Sequence, residues 1–303
     1  MVLQRLKKIT AFLVYSNLFI AVCALALTVE TFVLLQLPQS VNWYAPLLFC
    51  CTLFVYCLHY WAKSKKDKTD SRLEWCRKNK MLLLVFLSAS ALIISAIVIY
   101  HRNDIFYRDG VFNYKNLALF ILIPLLALGY SHPLTPWNKK GLRQVGWLKL
   151  VSLSFTWGFT TTLLPVWMLL PGNMNSFQLA ILFLHRFFFI ASLCVLFNIN
   201  DHEEDKKDGV RTIAVSAGPE KSLRYGKWFT LFINSVMAVL LLCYFKLNQP
   251  VFFIALLLPV VLVFWLYHRF MASKEEALFV LQHDGMMIVK ALLLIFALLT
   301  RSL

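Results

Sequence analysis

Long apolar runs follow one another along the chain, and the short segments between them carry most of its charge. A helix of about twenty apolar residues is long enough to cross the hydrocarbon core of a bilayer. Nine runs have that length or approach it, at 10–36, 42–62, 81–100, 115–130, 148–170, 177–199, 228–245, 250–268 and 284–300. This pattern predicts an all-α fold, a polytopic membrane bundle of about nine transmembrane helices around a central cavity.

The composition indicates the same class of protein. Hydrophobic residues make up 60% of the 303 positions, 26 of them are phenylalanine, and the mean hydropathy is +0.68. A soluble domain of this length cannot bury that much apolar surface. No domain boundary or low-complexity tract interrupts the pattern, so we expect a single transmembrane domain over residues 1–303.

The basic residues alternate with the predicted spans. If the N-terminus lies inside, the inner segments hold 23 of the 30 lysines and arginines, Lys149 among them, whereas the outer loops 38–44 and 171–177 carry no charge. Positive residues concentrate on the cytoplasmic side of membrane proteins. We therefore expect a multi-pass protein of the cell (inner) membrane, with its N-terminus in the cytoplasm and its C-terminus outside. The net charge of +15 is spread over these loops, which argues against a nucleic-acid interface.

An acidic cluster follows the sixth apolar run, with five of the fifteen acidic residues inside 201–208. On a helix, Asp201 and Asp205 stand at i and i+4 and share one face, and Glu204 and Asp208 repeat this spacing on a neighbouring face. Carboxylates this close repel one another unless a cation lies between them, and oxygen ligands suit Mg²⁺ or Ca²⁺. A solvated cytoplasmic loop explains the same residues without a metal, and the spacing alone does not decide.

The residues around the cluster suit a phosphate. Mg²⁺ usually takes one or two protein carboxylates and completes its shell with water and substrate phosphates. Gly209 permits a sharp turn after the cluster, and Arg211 offers a planar cation for phosphate oxygens. The cluster therefore predicts half of a metal–diphosphate site, facing the cytoplasm.

The run 197–218, FNINDHEEDKKDGVRTIAVSAG, resembles the second aspartate-rich motif of the UbiA superfamily of intramembrane prenyltransferases. That motif contains Asp-x-x-x-Asp, a glycine four residues later, then a basic or polar residue with threonine, and a second glycine after a short apolar segment. An asparagine often precedes it. The matching positions are Asn198, Asp201, Asp205, Gly209, Arg211, Thr212 and Gly218.

The resemblance implies Mg²⁺-dependent transfer of a prenyl group from a prenyl diphosphate to a lipophilic acceptor, aromatic or lipid. It implies that Asp201 and Asp205 form the catalytic, metal-binding pair. The further candidates are Glu204 and Asp208 for the metal and Asn198 and Arg211 for the substrate. The chain 1–303 would then be one UbiA-like prenyltransferase domain.

A second inner segment, YSHPLTPWNKK at 130–140, resembles the family's Tyr-Ser-x-x-Leu-Lys segment. Tyr130, Ser131 and Leu134 match, while Thr135 stands where a lysine is common. The basic residues that could take the role of that lysine in substrate binding are Lys139, Lys140 and Arg143. A proline-broken interfacial loop is an equally good interpretation of this segment.

The family's first motif, Asn-Asp-x-x-Asp-x-x-x-Asp, has no counterpart at the inner end of the second predicted span. That end reads Tyr-Cys-Leu-His-Tyr-Trp at 56–61, and the nearby acids Asp67, Asp70 and Glu74 lie among eight cations. A single carboxylate cluster could hold only one metal ion, so the alternative function is that of a non-catalytic UbiA-like protein that binds a lipid or a partner. A transporter is disfavoured, because the acids lie at the inner surface and not at mid-membrane.

A few charged residues fall within predicted spans, where charges are usually paired or functional. Arg186 precedes Asp201 by about 22 Å along a helix, too far to share its site. Glu30 is expected in the same outer half of the bilayer as Arg186. We therefore expect these two residues to pair. Asp284 is expected at the start of the last span, as a helix cap or beside the cavity, with Lys290 either pairing with it or reaching the interface.

Overall fold

The structure of the chain is a computed structural model that describes residues 2–65, 71–108, 111–119, 121, 146–169, 175–270 and 275–301. Some residues singled out from the sequence lie outside these described residues, namely Tyr130, Ser131, Leu134, Thr135, Lys139, Lys140, Arg143, Asp67 and Asp70. Nearly all of the described chain is helical. The predicted all-α class is therefore confirmed.

The N-terminal half contains α1 (Val2–Tyr15), α2 (Leu18–Leu34), α3 (Tyr44–Ser64), α4 (Ser71–Lys78), α5 (Lys80–Tyr100) and α6 (Arg102–Phe106). A 3₁₀ turn at Gln39–Val41 precedes α3, and a minimal antiparallel hairpin, β1 (Tyr107–Arg108) with β2 (Val111–Phe112), follows α6. The C-terminal half contains α7 (Gly146–Gly158), a π-helical turn (Phe159–Leu163), α8 (Leu164–Leu169), α9 (Ser176–Asn200), α10 (His202–Lys207), α11 (Ile213–Ala217), α12 (Pro219–Tyr244), α13 (Pro250–His268) and α14 (Glu276–Arg301).

Six helices are long and apolar enough to cross a membrane, namely α3, α5, α9, α12, α13 and α14. The pair α1–α2 meets the same criterion with a 68° bend, which makes seven candidate spans among the described residues. Two further predicted spans are not among these seven. Most of 115–130 lies outside the described residues, and a π turn divides the helix at 148–170. The membrane bundle is confirmed, whereas the count of nine is not.

The π turn ties the helix at 146–169 to two neighbouring helices. Thr160 and Thr161 lie buried within it. The Tyr44 hydroxyl donates to the Thr160 carbonyl oxygen, and the Thr31 hydroxyl donates to the Thr161 carbonyl oxygen, each at 2.7 Å. The wider turn therefore holds α2 and α3 through its backbone.

A buried ion cluster joins α2, α9 and α14. The carboxylate of Glu30 lies 3.1 Å from the Arg186 guanidinium and 2.5 Å from the Lys290 ammonium, and none of the three side chains is more than 2% exposed. The predicted pairing of Glu30 with Arg186 is confirmed. The expectation for Lys290 was wrong, because its ammonium reaches Glu30 and neither Asp284 nor the interface.

Helix α1 meets α2 at a sharp bend that an arginine from α4 holds. Asn17 has the left-handed φ of 67° at this bend. Arg72 donates to the Asn17 side-chain oxygen at 2.9 Å and to the Val14 carbonyl oxygen at 3.3 Å, and it pairs with Glu276 at 3.3 Å. The α1 side chains that remain exposed are mostly apolar or basic, among them Arg5, Leu6, Lys7, Lys8, Ile9, Phe12 and Leu13.

The segment after the acidic cluster packs directly on the start of α7. A Cβ added at Gly146 would lie 1.8 Å from the Arg211 carbonyl oxygen. Only glycine therefore fits at this position without a shift of the backbone. This close approach brings the first turn of α7, with Lys149, beside the acidic cluster.

Replacing Glu30 by glutamine is expected to destabilise the bundle, because two buried cations lose their carboxylate. Removing one member of a buried ion pair costs about 3–5 kcal/mol. Thermal unfolding of the protein in detergent, followed by tryptophan fluorescence, measures the change. Glu74→Gln is the matched control, since Glu74 is 55% exposed and pairs with the neighbouring Lys78. Equal unfolding midpoints for the two variants would contradict this role of the buried ion cluster.

Replacing Gly146 by alanine is expected to displace the segment around Arg211 and to speed hydrogen–deuterium exchange of the peptide 209–218, because exchange reports local opening. Gly285→Ala is the control, since a Cβ there would meet Phe19 at 3.6 Å, an ordinary contact. Identical exchange in both variants would show that the contact with α7 does not hold the segment.

Candidate functional site

A cavity of about 720 Å³ lies inside the bundle, and α2, α3, α5, α7, α9 and α14 all contribute to its wall. Its lining is mainly apolar and aromatic, which is usual for a site that takes a small lipophilic molecule. The polar and charged lining residues are few and include His59, Arg72, Lys149, Asn198, Asp201 and Asp284. The predicted central cavity is thus present.

Helix α9 carries apolar lining residues along its length and polar ones at its end. The lining positions recur every three or four residues, so they share one face of the helix. These positions are Ile190, Leu193, Cys194, Phe197, Asn198 and Asp201. Because α9 ends at Asn200, Asp201 places a carboxylate directly at the end of this apolar helix face.

Asp201 and Asp205 converge on one lysine. The Lys149 ammonium lies 3.2 Å from Asp201 Oδ2 and 2.9 and 2.8 Å from the two carboxylate oxygens of Asp205. The Asp205 amide donates to the Asp201 carbonyl oxygen at 2.8 Å, so the i, i+4 relation persists although the helix breaks at Asp201. We call these three residues the Asp–Lys–Asp cluster.

The electrostatics of the Asp–Lys–Asp cluster favour a further cation. The Asp205 and Lys149 side chains are 6% and 7% exposed, whereas the Asp201 side chain is 25% exposed and lines the cavity. Among the described residues, two carboxylates meet one ammonium at a site largely shielded from water, where charges are poorly screened. A cation can reach the Asp201 carboxylate from the cavity side.

The donor set fits Mg²⁺ better than a metal that needs a complete protein cage. Two carboxylates directed at one cation match the one or two that Mg²⁺ usually takes, with water and phosphate oxygens completing the octahedron. In the part of the chain that the structure describes, no three His, Cys, Asp or Glu residues converge on a point. A closed zinc-type site is thus not found there.

Glu204 and Asp208 do not join the Asp–Lys–Asp cluster. The Glu204 carboxylate pairs with Lys63 at 3.2 Å and is 50% exposed, and the Asp208 side chain is exposed. The cause is local, because α10 is a separate six-residue helix after the break at Asp201, and it turns these positions outward.

Two predicted substrate residues have different surroundings. Asn198 lines the cavity about one turn before Asp201, is only 2% exposed, and its Nδ2 has no hydrogen-bond acceptor among the described residues. Arg211 is exposed at the edge of the cluster. Gly209 has a φ of 69°, which confirms the predicted sharp turn.

Aromatic and cationic groups line the cavity where the sequence lacks the family's first acidic motif. Tyr56, His59 and Tyr60, near the end of α3, line the cavity. The Arg72 guanidinium lies 3.6 Å from the Tyr60 ring centroid. Burial by itself lowers the pKa of Arg72, whereas Tyr60 and Glu276 raise it. The upward effects together are larger, so the net pKa shift is upward and the side chain stays cationic.

Sequence reasoning missed the place of Lys149 in this cavity and left two alternatives open for Asp284. Lys149 was grouped with the basic inner segments, yet it falls just inside the predicted span 148–170, which is the signal that could have identified it. Asp284 was expected near a helix start. It lies eight residues into α14, so the capping interpretation is wrong and the position beside the cavity is correct.

Comparison with known proteins identifies the family to which the chain belongs. A model of the UbiA prenyltransferase family matches residues 77–281. The fold is similar to the apo structure of a UbiA homolog from Aeropyrum pernix K1, with a TM-score of 0.58 and 13% identity over 98% of both chains. It is also similar to a structure from a study of digeranylgeranylglyceryl phosphate synthase in membranes, with a TM-score of 0.57 and 13% identity over 97% of this chain and 98% of the other.

No curated protein matches the sequence significantly. The two structures share too little sequence with this chain to show more than its fold, but the family match covers well over half of the chain. This multi-pass membrane protein therefore belongs to the UbiA prenyltransferase family, and its general activity is of the intramembrane prenyltransferase kind.

Proposed function

We propose that this protein moves a prenyl group from a prenyl diphosphate to a lipophilic acceptor, aromatic or lipid, in a Mg²⁺-dependent reaction. The observation that carries the proposal is the meeting of Asp201 and Asp205 at one cation beside a large apolar cavity. This arrangement offers a polar end for a diphosphate and an apolar interior for its hydrocarbon chain.

Asp201 and Asp205 would hold the metal in this reaction. When bound, Mg²⁺ supplies positive charge that stabilises the departing pyrophosphate. Lys149 lies close enough to exchange its carboxylate partners for phosphate oxygens, and the Asn198 Nδ2 group has a hydrogen bond to donate. These donors orient the diphosphate at the cavity.

The walls protect the reacting carbon from water. Aromatic residues, among them Tyr56, Trp157 and Phe197, line the cavity. Ring faces stabilise a nearby positive charge, as in cation–π contacts. Breaking the allylic C–O bond produces such a charge, and the apolar walls keep water from trapping it.

Further groups belong to the phosphate side of this proposal. Arg211 is exposed beside the Asp–Lys–Asp cluster. The proposal adds the substrate-binding residues Tyr130, Ser131, Lys139, Lys140 and Arg143. The positive-inside distribution of basic residues supports a cytoplasmic site and N-terminus, with the C-terminus outside the cell membrane.

The proposed function predicts that Asp201→Asn and Asp205→Asn each reduce pyrophosphate release by about 100-fold or more, because the metal loses a charged ligand. Purified protein is assayed with prenyl diphosphates of increasing length, a set of acceptors, and either Mg²⁺ or EDTA. Glu203→Gln, with its side chain 78% exposed, is the matched control from the same acidic cluster. Binding of prenyl diphosphates without any pyrophosphate release would favour the non-catalytic lipid-binding alternative.

Lys149→Gln is expected to change metal and diphosphate binding in opposite directions. The two carboxylates lose a competing ammonium and bind Mn²⁺, a spectroscopic substitute for Mg²⁺, more tightly. The diphosphate loses a charge-assisted hydrogen bond and binds about tenfold more weakly. Electron paramagnetic resonance and isothermal titration calorimetry measure the two affinities. Lys63→Gln is the control, and a parallel loss of both affinities in Lys149→Gln would contradict the exchange of partners.

A further inference from the structure

Asp284 is a carboxylate inside a spanning helix and on the wall of the cavity. It stands eight residues after the start of α14, about 12 Å along the helix axis. The lining residues of α14 are Val280, Asp284 and Met287, spaced by four and three positions, so the carboxylate shares one helix face with apolar cavity residues.

This carboxylate differs from the other charges within the spans. Glu30, Arg186 and Lys290 satisfy one another in the buried ion cluster. Within the ranges that the structure describes, the Asp284 side chain makes neither a hydrogen bond nor an ion pair. Arg72 acts on it electrostatically, but Arg72 donates its hydrogen bonds to other groups.

Asp284 lies deeper in the cavity than the Asp–Lys–Asp cluster. His283, the neighbour of Asp284 on α14, has its ring centroid 6.0 Å from that of Phe197 on α9. Phe197 precedes Asp201 by four residues, about 6 Å along α9. The cavity therefore has two carboxylate poles, one at the end of α9 and one within the apolar region.

We propose that Asp284 binds the hydroxyl group of the acceptor, an alcohol or phenol, and receives its proton during transfer. This inference deepens the proposed function and rests on it. An ionised carboxylate in apolar surroundings is costly unless a donor meets it, and a hydroxyl is the donor that a lipophilic molecule can bring there. The diphosphate occupies the other pole, at the end of α9.

The chemical step is balanced with these groups alone. The allylic C–O bond breaks, and its electron pair leaves with pyrophosphate. The acceptor oxygen forms the new bond to the allylic carbon, and its proton passes to a carboxylate oxygen of Asp284, from which water later removes it. General-base catalysis of this kind contributes about 10²–10⁴-fold to the rate.

The first test separates a structural from a functional role. Asp284→Asn keeps the shape of the side chain and removes a charge that has no bonded partner. The thermal midpoint is therefore expected to stay at the wild-type value or to rise, since function and not stability retains the carboxylate. A lower midpoint in Asp284→Asn than in the exposed control Asp104→Asn would overturn the proposal.

The second test uses an alkylphenol as an acceptor probe and a non-hydrolysable prenyl diphosphate analogue as a donor probe, with calorimetric titration in detergent. Asp284→Asn is expected to weaken alkylphenol binding about tenfold and to leave analogue binding unchanged. Asp201→Asn is expected to show the reverse. Unchanged alkylphenol affinity in Asp284→Asn, or equal losses for both probes, would overturn the proposal.

These titrations need no turnover, so failure of the proposed reaction and failure of the Asp284 assignment are separate results. The reaction fails if the wild type releases no pyrophosphate. The assignment fails if Asp284→Asn binds the alkylphenol with the same affinity as the wild type. In turnover with a saturating alcohol or phenol acceptor, Asp284→Asn should form prenylated product about 100-fold more slowly or worse, whereas a rate equal to that of Asp104→Asn would contradict proton transfer to Asp284.

Discussion

A charge inside this bundle is stable only beside an opposite charge, because neither lipid nor an apolar core solvates it. The structure meets this constraint in two different ways. The buried ion cluster has one carboxylate between two cations and is closed to solvent, so it joins three helices. Among the described residues, the Asp–Lys–Asp cluster has the opposite balance, one cation between two carboxylates, and it adjoins the cavity. The first cluster is suited to holding the helices together, and the second to receiving a cation.

Asp284 stands apart from both clusters, and the comparison explains why it matters. Glu30, which is fully buried within the bundle, obtains two cationic partners. Asp284 obtains none by direct contact from the described residues. Proteins retain costly side chains of this kind chiefly where activity requires them, which is the usual conflict between stability and function. A cavity with a charged group at each of two levels can orient a molecule that carries two different polar ends.

Local sequence pattern predicted much of this architecture, and its failures are long-range. The length of the apolar runs identified the membrane bundle, and the four-residue spacing placed Asp201 and Asp205 on a common cation. No local pattern, however, shows that Lys149 lies beside Asp205, because 56 residues separate them along the chain. The partner of Lys290 is 260 residues away and was missed for the same reason. The bend between α1 and α2 was missed because Ser16 and Asn17 interrupt the apolar run for only two residues.

The arginine at that bend connects α1 to the cavity wall. Helix α1 has the apolar and basic faces of a helix that lies in the lipid interface. Arg72 donates hydrogen bonds to Val14 and Asn17 at the C-terminal end of α1, packs on Tyr60 and lines the cavity. A displacement of α1 relative to the bundle would therefore act on a side chain of the cavity wall. The cavity is mechanically coupled to the N-terminal helix through this arginine.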